Sequence, residues 1–208
     1  MITTTLNRIK ACNPGAPFWD ALLQDLGKTC SDDAPLSYAQ ILRSCGLEGA
    51  TWVIRAEPRY DGLWQVFAIE CARIVQNLVR DPGEARALDV AERYLRSLTA
   101  RDHLFSALQK ALDALAHATR HVDEAADQMT WKRAMIAARA SASICCALTA
   151  VTASVVPDAG PTDLYDAVEA AVFAAGDAGD IAGQGDVREI QYNLFMRLVS
   201  QSAPRSIH

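Results

Sequence analysis

The sequence predicts an all-α protein, a multi-helix bundle or short α-solenoid of about 8–10 helices with no sheet. Three observations carry that prediction. Apolar residues recur at helical spacing through most of the chain, and no segment alternates convincingly with period two. Helix-starting and helix-stopping residues (Ser, Asp, Pro, Gly) punctuate the periodic stretches. The middle of the chain is rich in alanine, the best helix former and one that lets helix backbones approach closely. With 208 residues, 50% of them apolar and 22% charged, the chain has the composition of a globular protein able to bury a core.

The elements follow in order. Thr3–Thr5 can cap a first helix containing Leu6 and Ile9. Asn13-Pro14-Gly15-Ala16-Pro17 is a loop. Phe18, Leu22, Leu23 and Leu26 have helical spacing and end at Gly27. Gly27-Lys28-Thr29 resembles the end of a phosphate-binding loop, but that motif needs a glycine where Leu22 stands and a strand before it. Gly27 is instead expected to close the helix in the left-handed conformation, with Lys28 near the negative helix end. After a polar loop over 28–36, Ser37 caps a helix that turns Tyr38, Ile41 and Leu42 inward and ends at Gly46. A further helix covers 47–56. Asp61 opens the most regular element, with Leu63, Val66, Phe67, Cys71, Ile74, Val75 and Leu78 on its apolar face. Asp81 and Pro82 start the next, with Leu88, Ala91, Leu95 and Leu98 inward.

Two long Ala-rich helices are predicted at about 102–127 and 130–156, followed by a helix over 162–175. Gly176 to Gly185, GDAGDIAGQG, reads as a flexible stretch, which makes the last helix (186–201) a hinged or separately docked element. The chain thus divides into 1–100, 101–156 and 157–208, read as one continuous core. Residues 140–156 hold no charged side chain over 17 positions, at the short limit for a membrane span. Their Ala, Ser and Thr content favours a buried central helix, so no membrane partner is expected.

The chemistry-bearing residues are few. Six cysteines show no C-x-x-C pair, and the N-terminus lacks an apolar signal run, so free thiols in a reducing cytoplasm are expected. His117 and His121 share a helix face, with Glu124 a turn further on. These three are the candidate metal ligands for an alternative reading as a metal-dependent enzyme. A zinc site wants a fourth ligand or an open position, and the metalloprotease glutamate is replaced by Ala118. The favoured expectation is therefore no metal, no cofactor and no catalytic residue. Glu70 lies on the apolar face of its helix and is expected to form a buried ion pair with Arg55 or Arg73.

Charge is more informative. Between 158 and 189 the chain carries Asp158, Asp163, Asp166, Glu169, Asp177, Asp180, Asp186 and Glu189 against Arg188 alone. Such a face disfavours direct nucleic-acid binding, which needs basic residues, and suits a protein partner with a basic surface. Asp158, Asp163, Asp166, Glu169, Asp177 and Asp180 are the expected partner-binding residues.

The N-terminal half also carries a resemblance. Asn13-Pro14, Trp19 with Leu22-Leu23, LGKT (26–29), DD-x-PL (32–36), TWVIRA (51–56), FAIECAR (67–73) and DP…ALDVAERY (81–94) resemble an all-helical family of immunity-like proteins of bacteria and phages. The match covers about residues 7–98. Gly15 stands where that family commonly has a cysteine, and the acidic segment from 158 onward lies outside the match. The resemblance implies a binding role: immunity to a toxin or, in a phage, inhibition of a host defence complex in the manner of an anti-CRISPR protein. The expected function is therefore a cytoplasmic, non-enzymatic inhibitor. A self-assembling helical protein, dimeric through its Ala-rich helices, is a further alternative.

Overall fold

The structure is a computed structural model that describes residues 1–156, 160 and 163–201. Its described residues form nine α-helices and one two-stranded antiparallel sheet, so the fold is an essentially all-α helical bundle. The described residues divide into two compact units, Met1–Leu63 with those from Tyr192 onward, and Trp64–Gln191.

In the first unit, β1 (Thr3–Thr4) pairs with β2 (Leu36–Ser37) in the register Thr3 to Ser37 and Thr4 to Leu36. This sheet was not expected; strands two residues long leave no alternation to read. Helix α1 (Leu6–Ala11) is capped by the Thr5 hydroxyl, which accepts from the Arg8 N–H at 3.2 Å. Helix α2 (Ala16–Asp25) ends as expected at Gly27, whose φ is +64°. The Lys28 N–H donates to the Leu23 carbonyl at 2.9 Å and the Gly27 N–H to Gln24 at 3.1 Å, the two bonds of a Schellman cap. The LGKT stretch is therefore a helix stop; Lys28 turns to Asp32, 2.6 Å away.

Helix α3 (Tyr38–Val53) starts with a reciprocal capping box between Ser37 and Gln40. The break expected at Gly46 is present as a kink with φ 67° inside one element. Leu6, Ile9, Leu22, Tyr38, Ile41, Leu42, Phe195 and Val199 are buried, and the Tyr38 ring lies 6.4 Å from that of Phe195. Glu57 is 1% exposed and accepts from Arg8 Nη1 at 2.5 Å and Arg59 Nε at 2.9 Å. This clamp was not anticipated from the sequence.

Helix α4 (Asp61–Ile74) turns Trp64, Phe67, Ala68, Cys71 and Ala72 inward. Gln65 is buried with them and donates from Nε2 to the Ala150 carbonyl at 3.1 Å. In the second unit, α5 (Pro82–Leu95) is capped by Asp81, whose Oδ1 accepts from the Gly83 N–H at 2.7 Å. It buries Leu88 and Ala91 as expected, whereas Leu98 lies past the helix end and is 63% exposed. The turn after α5 holds Ser97 at φ 57°, again with two cap bonds, Leu98 to Arg93 at 2.7 Å and Ser97 to Tyr94 at 2.8 Å.

Helices α6 (Arg101–Asp123) and α7 (Gln128–Ala153) are the long Ala-rich pair. By length and composition α7 could cross a membrane, but 67% of its most apolar window is buried inside the fold. Helix α8 corrects an expectation, because it runs Asp163–Ala182 and so continues through residues 176–182 of the stretch read as flexible. Gly176 and Gly179 are helical and buried because α9 (Val187–Ser200) approaches there: a Cβ on Gly179 would lie 2.5 Å from Val187 Cγ2. The helix ends at Gly183, φ +77°, with Gln184 donating to the Gly179 carbonyl at 2.8 Å. Two neighbouring carbonyls of α8 also receive side chains: Ser143 Oγ donates to Ala171 and Gln191 Nε2 to Val172, each at 2.8 Å.

Candidate functional site

A groove of about 790 Å³ runs along α5 and α6, with α7 beneath it. Its volume falls in the range of about 300–1,000 Å³ usual for ligand sites. The sequence builds it by subtraction. Ala87 on α5 and Ala107, Ala111 and Ala118 on α6 are buried and line it, so neither helix fills the space between their axes. The groove runs along α6 from His103 to His117, about 21 Å at the α-helical rise.

Charged and polar residues line the rim. Arg80, Asp81 and Arg86 come from the start of α5; His103, Ser106, Lys110, Asp113 and His117 come from one face of α6. Glu84 and Ser141 also line the groove, and both are buried, at 5% and 1% exposure. Glu84 Oε2 and Ser141 Oγ have no hydrogen bond of normal geometry. Burial is the main force on Glu84 and pushes its pKa above the ordinary value of 4.5; the nearby Ser141 hydroxyl pulls the other way, the Asp81 charge adds to the rise, and the Asp81 backbone N–H opposes it. Cys145, one turn beyond Ser141, is pushed up to about 11, chiefly by burial, then by Cys146, with the Glu84 charge a smaller contribution.

Glu84 is placed here by the stripe that buries Leu88 and Ala91. Positions 84, 87, 88 and 91 lie on one face of α5, so extending that stripe by one turn reaches the carboxylate. That periodicity was the available signal. It was missed because an acidic residue in a first helical turn ordinarily faces solvent and favours the positive helix end.

Asp158 lies outside the described residues. Asp163 and Asp166 are exposed in the first turn of α8, and Glu169 is half-buried. Asp163 Oδ2 accepts from the Gly160 N–H at 2.7 Å. Asp177 and Asp180, expected to lack local neutralisation, are bound by Arg188: Nη2 to Asp177 at 3.1 Å and Nε to Asp180 at 2.8 Å. The acidic pair in the middle of α8 is thus neutralised locally by Arg188. The expected tie between Glu70 and Arg73 is not made. Arg73 reaches Glu92 and Asp89, each at 2.6 Å, and Glu70 is half-buried at the edge of the α4 face, which is rotated toward Gln65. Arg55 donates to the Trp52 carbonyl at 2.8 Å and stacks on that ring.

His117 and His121 meet edge to face, centroids 4.5 Å apart, and His121 Nδ1 lies 3.7 Å from Glu124 Oε2. Among the described residues, no group of three or more His, Cys, Asp or Glu side chains is arranged to hold a metal ion. All six cysteines are free thiols; burial raises the pKa of Cys71 far above the ordinary thiol range. Comparison of the chain with protein-family models, with curated proteins and with solved structures finds no match.

Proposed function

We propose that the chain is a non-catalytic binding protein that neutralises a toxin or a host defence complex by seating a segment of that protein in the α5–α6 groove. The groove carries the reading. It is elongated rather than round, has alternating charge on its rim and a small-residue floor, and such features suit a polypeptide segment better than a compact metabolite. The resemblance of residues 7–98 to immunity-like proteins supports the same direction and covers α5. The test is co-expression with a panel of toxins and defence complexes, scored by cell survival or by restored phage plating. Ala114→Trp, at a half-buried groove position, is the discriminating variant. It should fold and lose neutralisation. If wild type neutralises a target and Ala114→Trp does so equally well, the groove is not the recognition site. If wild type neutralises nothing in the panel, the inhibitor reading loses its support.

A second reading rests on the exposed start of α8. Asp163 and Asp166 there are suited to steer a basic protein surface. In this version the on-rate falls with salt and depends on these residues rather than on the groove.

A further inference from the structure

We propose that the groove between α5 and α6 is a lysine-reading site, in which the ammonium of a lysine on an extended partner segment reaches Glu84 Oε2 and Ser141 Oγ at the floor. The proposal rests on the protein-binding reading above and adds the chemistry of the residue that is read.

Glu84 Oε2 and Ser141 Oγ are both buried, they belong to neighbouring residues that line the groove, and neither makes a hydrogen bond of normal geometry. A buried polar atom left unpaired is costly, and a buried carboxylate without a cation more so. A ligand that supplies several N–H donors on one atom, together with a positive charge, satisfies both oxygens at once. A primary ammonium does this with three donors in a small volume. A guanidinium is planar and wider, and a neutral amide or hydroxyl leaves the carboxylate charge uncompensated. An anion would face Glu84 directly.

The rim selects the context. Arg80, Arg86 and Lys110 stand on it beside Asp81 and Asp113. A run of basic residues would be repelled by those three cations, so the segment read is one lysine with acidic or neutral flanks. A groove about 21 Å long also offers contacts to several residues on either side of the anchor, which a free amine cannot use.

The charged and titratable groups around Glu84 are Arg80 and Asp81 just before α5, Arg86 on α5, His103, Lys110, Asp113 and His117 on α6, and Cys145 on α7. An ammonium at the floor favours the ionised carboxylate, so binding releases a proton from Glu84 wherever that group is protonated in the free protein. Affinity for a lysine segment should therefore rise as pH climbs through the folded pKa of Glu84. All the other groups are common to wild type and Glu84→Gln, so the difference between the two isolates this one.

The experiment is calorimetric and NMR titration of the full chain with three probes: a nine-residue alanine-based peptide with one central lysine flanked by aspartates, the same peptide with norleucine at the centre, and n-butylammonium chloride. The expected result is at least tenfold tighter binding of the lysine peptide than of either other probe, with amide shifts at Ala87, Ala111 and Ser141. Glu84→Gln should erase the tenfold preference and its rise with pH. Ser141→Ala, which removes one acceptor and leaves the charge, should weaken the lysine peptide several-fold and serves as the test if Glu84→Gln does not fold. Equal binding of the norleucine peptide, or a lysine preference that survives Glu84→Gln, overturns the proposal. Equal binding of n-butylammonium overturns the chain-segment occupant. These titrations read the groove alone, whereas neutralisation reads the whole protein, so failure of one is distinguishable from failure of the other.

Discussion

Replacing Gly179 with alanine would put a methyl group into space already held by Val187. The added Cβ would lie 2.5 Å from Val187 Cγ2, 2.7 Å from Cβ and 3.2 Å from Cγ1. Carbon atoms in good contact sit about 3.5–4.0 Å apart, so α8 and α9 must separate locally by about 1 Å. A rotamer change of Val187 cannot relieve this, because its Cβ is itself in the way. The Gln191–Val172 and Arg188–Asp180 bonds, both 2.8 Å, span the same contact and would stretch with it. Overpacking of this kind costs about 1–3 kcal/mol, and the better helix propensity of alanine returns about 1 kcal/mol. A net loss of up to about 2 kcal/mol is expected, or roughly 4–8 °C in melting temperature for a chain of this size. Two controls share the substitution but not the clash. At Gly176 the nearest atoms belong to the Arg188 guanidinium, with Nη1 at 2.9 Å, which can swing aside. That variant should stay within about 0.5 kcal/mol of wild type. At Gly62 nothing lies within 4 Å, so alanine there should stabilise by about 0.4–1 kcal/mol. Thermal and urea melts followed by circular dichroism give the ranking. If Gly179→Ala melts at or above wild type, the close approach of α8 and α9 is not what the glycine serves.

Ser97 adopts φ 57° at the end of α5, a conformation that L-residues other than Asn and Asp seldom use, so Ser97→Gly should raise stability by up to about 1 kcal/mol in a urea titration. Glu84 has a folded pKa raised by burial, so its contribution is favourable below the ordinary glutamate value and is lost as pH rises through the folded value. Glu84→Gln should therefore match or trail wild type near pH 4 and become the more stable protein toward neutral pH; a stability difference that does not change with pH would refute the assignment. Replacing Asp163, Asp166 and Glu169 together with lysine reverses charge along α8, including its first turn, where Asp163 and Asp166 are each worth about 0.3–1 kcal/mol. A small drop in melting temperature is expected, and loss of neutralisation, read as a slower on-rate by surface plasmon resonance, would identify α8 rather than the groove as the contact surface.

What the sequence disclosed depended on how local the responsible chemistry is. Asp81-Pro82, Ser37 and Gly27 were legible because a cap is made within four or five residues. The alanines of α6 and α7 were legible as helix formers but not as groove walls, since an alanine leaves a trough only when neighbouring helices stand at a set distance. Gly176 and Gly179 read as a break because a glycine kept for close approach looks the same in sequence as one kept for flexibility; Val187 and Arg188 separate the two. Glu57 lies beside Arg59, but its other partner, Arg8, is 49 residues away. Glu70 and Glu84 were exchanged in importance: both sit on helices with apolar stripes, and the small offset of the α4 face toward Gln65 moved Glu70 to the edge.

The side-chain bonds onto Ala171 and Val172 bear on how the second unit settles on one arrangement. Facing surfaces of Ala and Val are nearly smooth, and a helix that slips along such a surface by one turn exchanges alanine for alanine at little cost. Ser143 and Gln191 hold adjacent carbonyls of α8 from two different helices, and Gln65 does the same to Ala150 of α7. Each donor is aimed at one carbonyl, so a slip by a fraction of a turn leaves a buried donor orphaned. The three act as index marks on otherwise featureless rods. Removing them with apolar replacements should leave a protein that is still helical and compact but populates several sliding registers, visible as broadened methyl resonances before any fall in melting temperature.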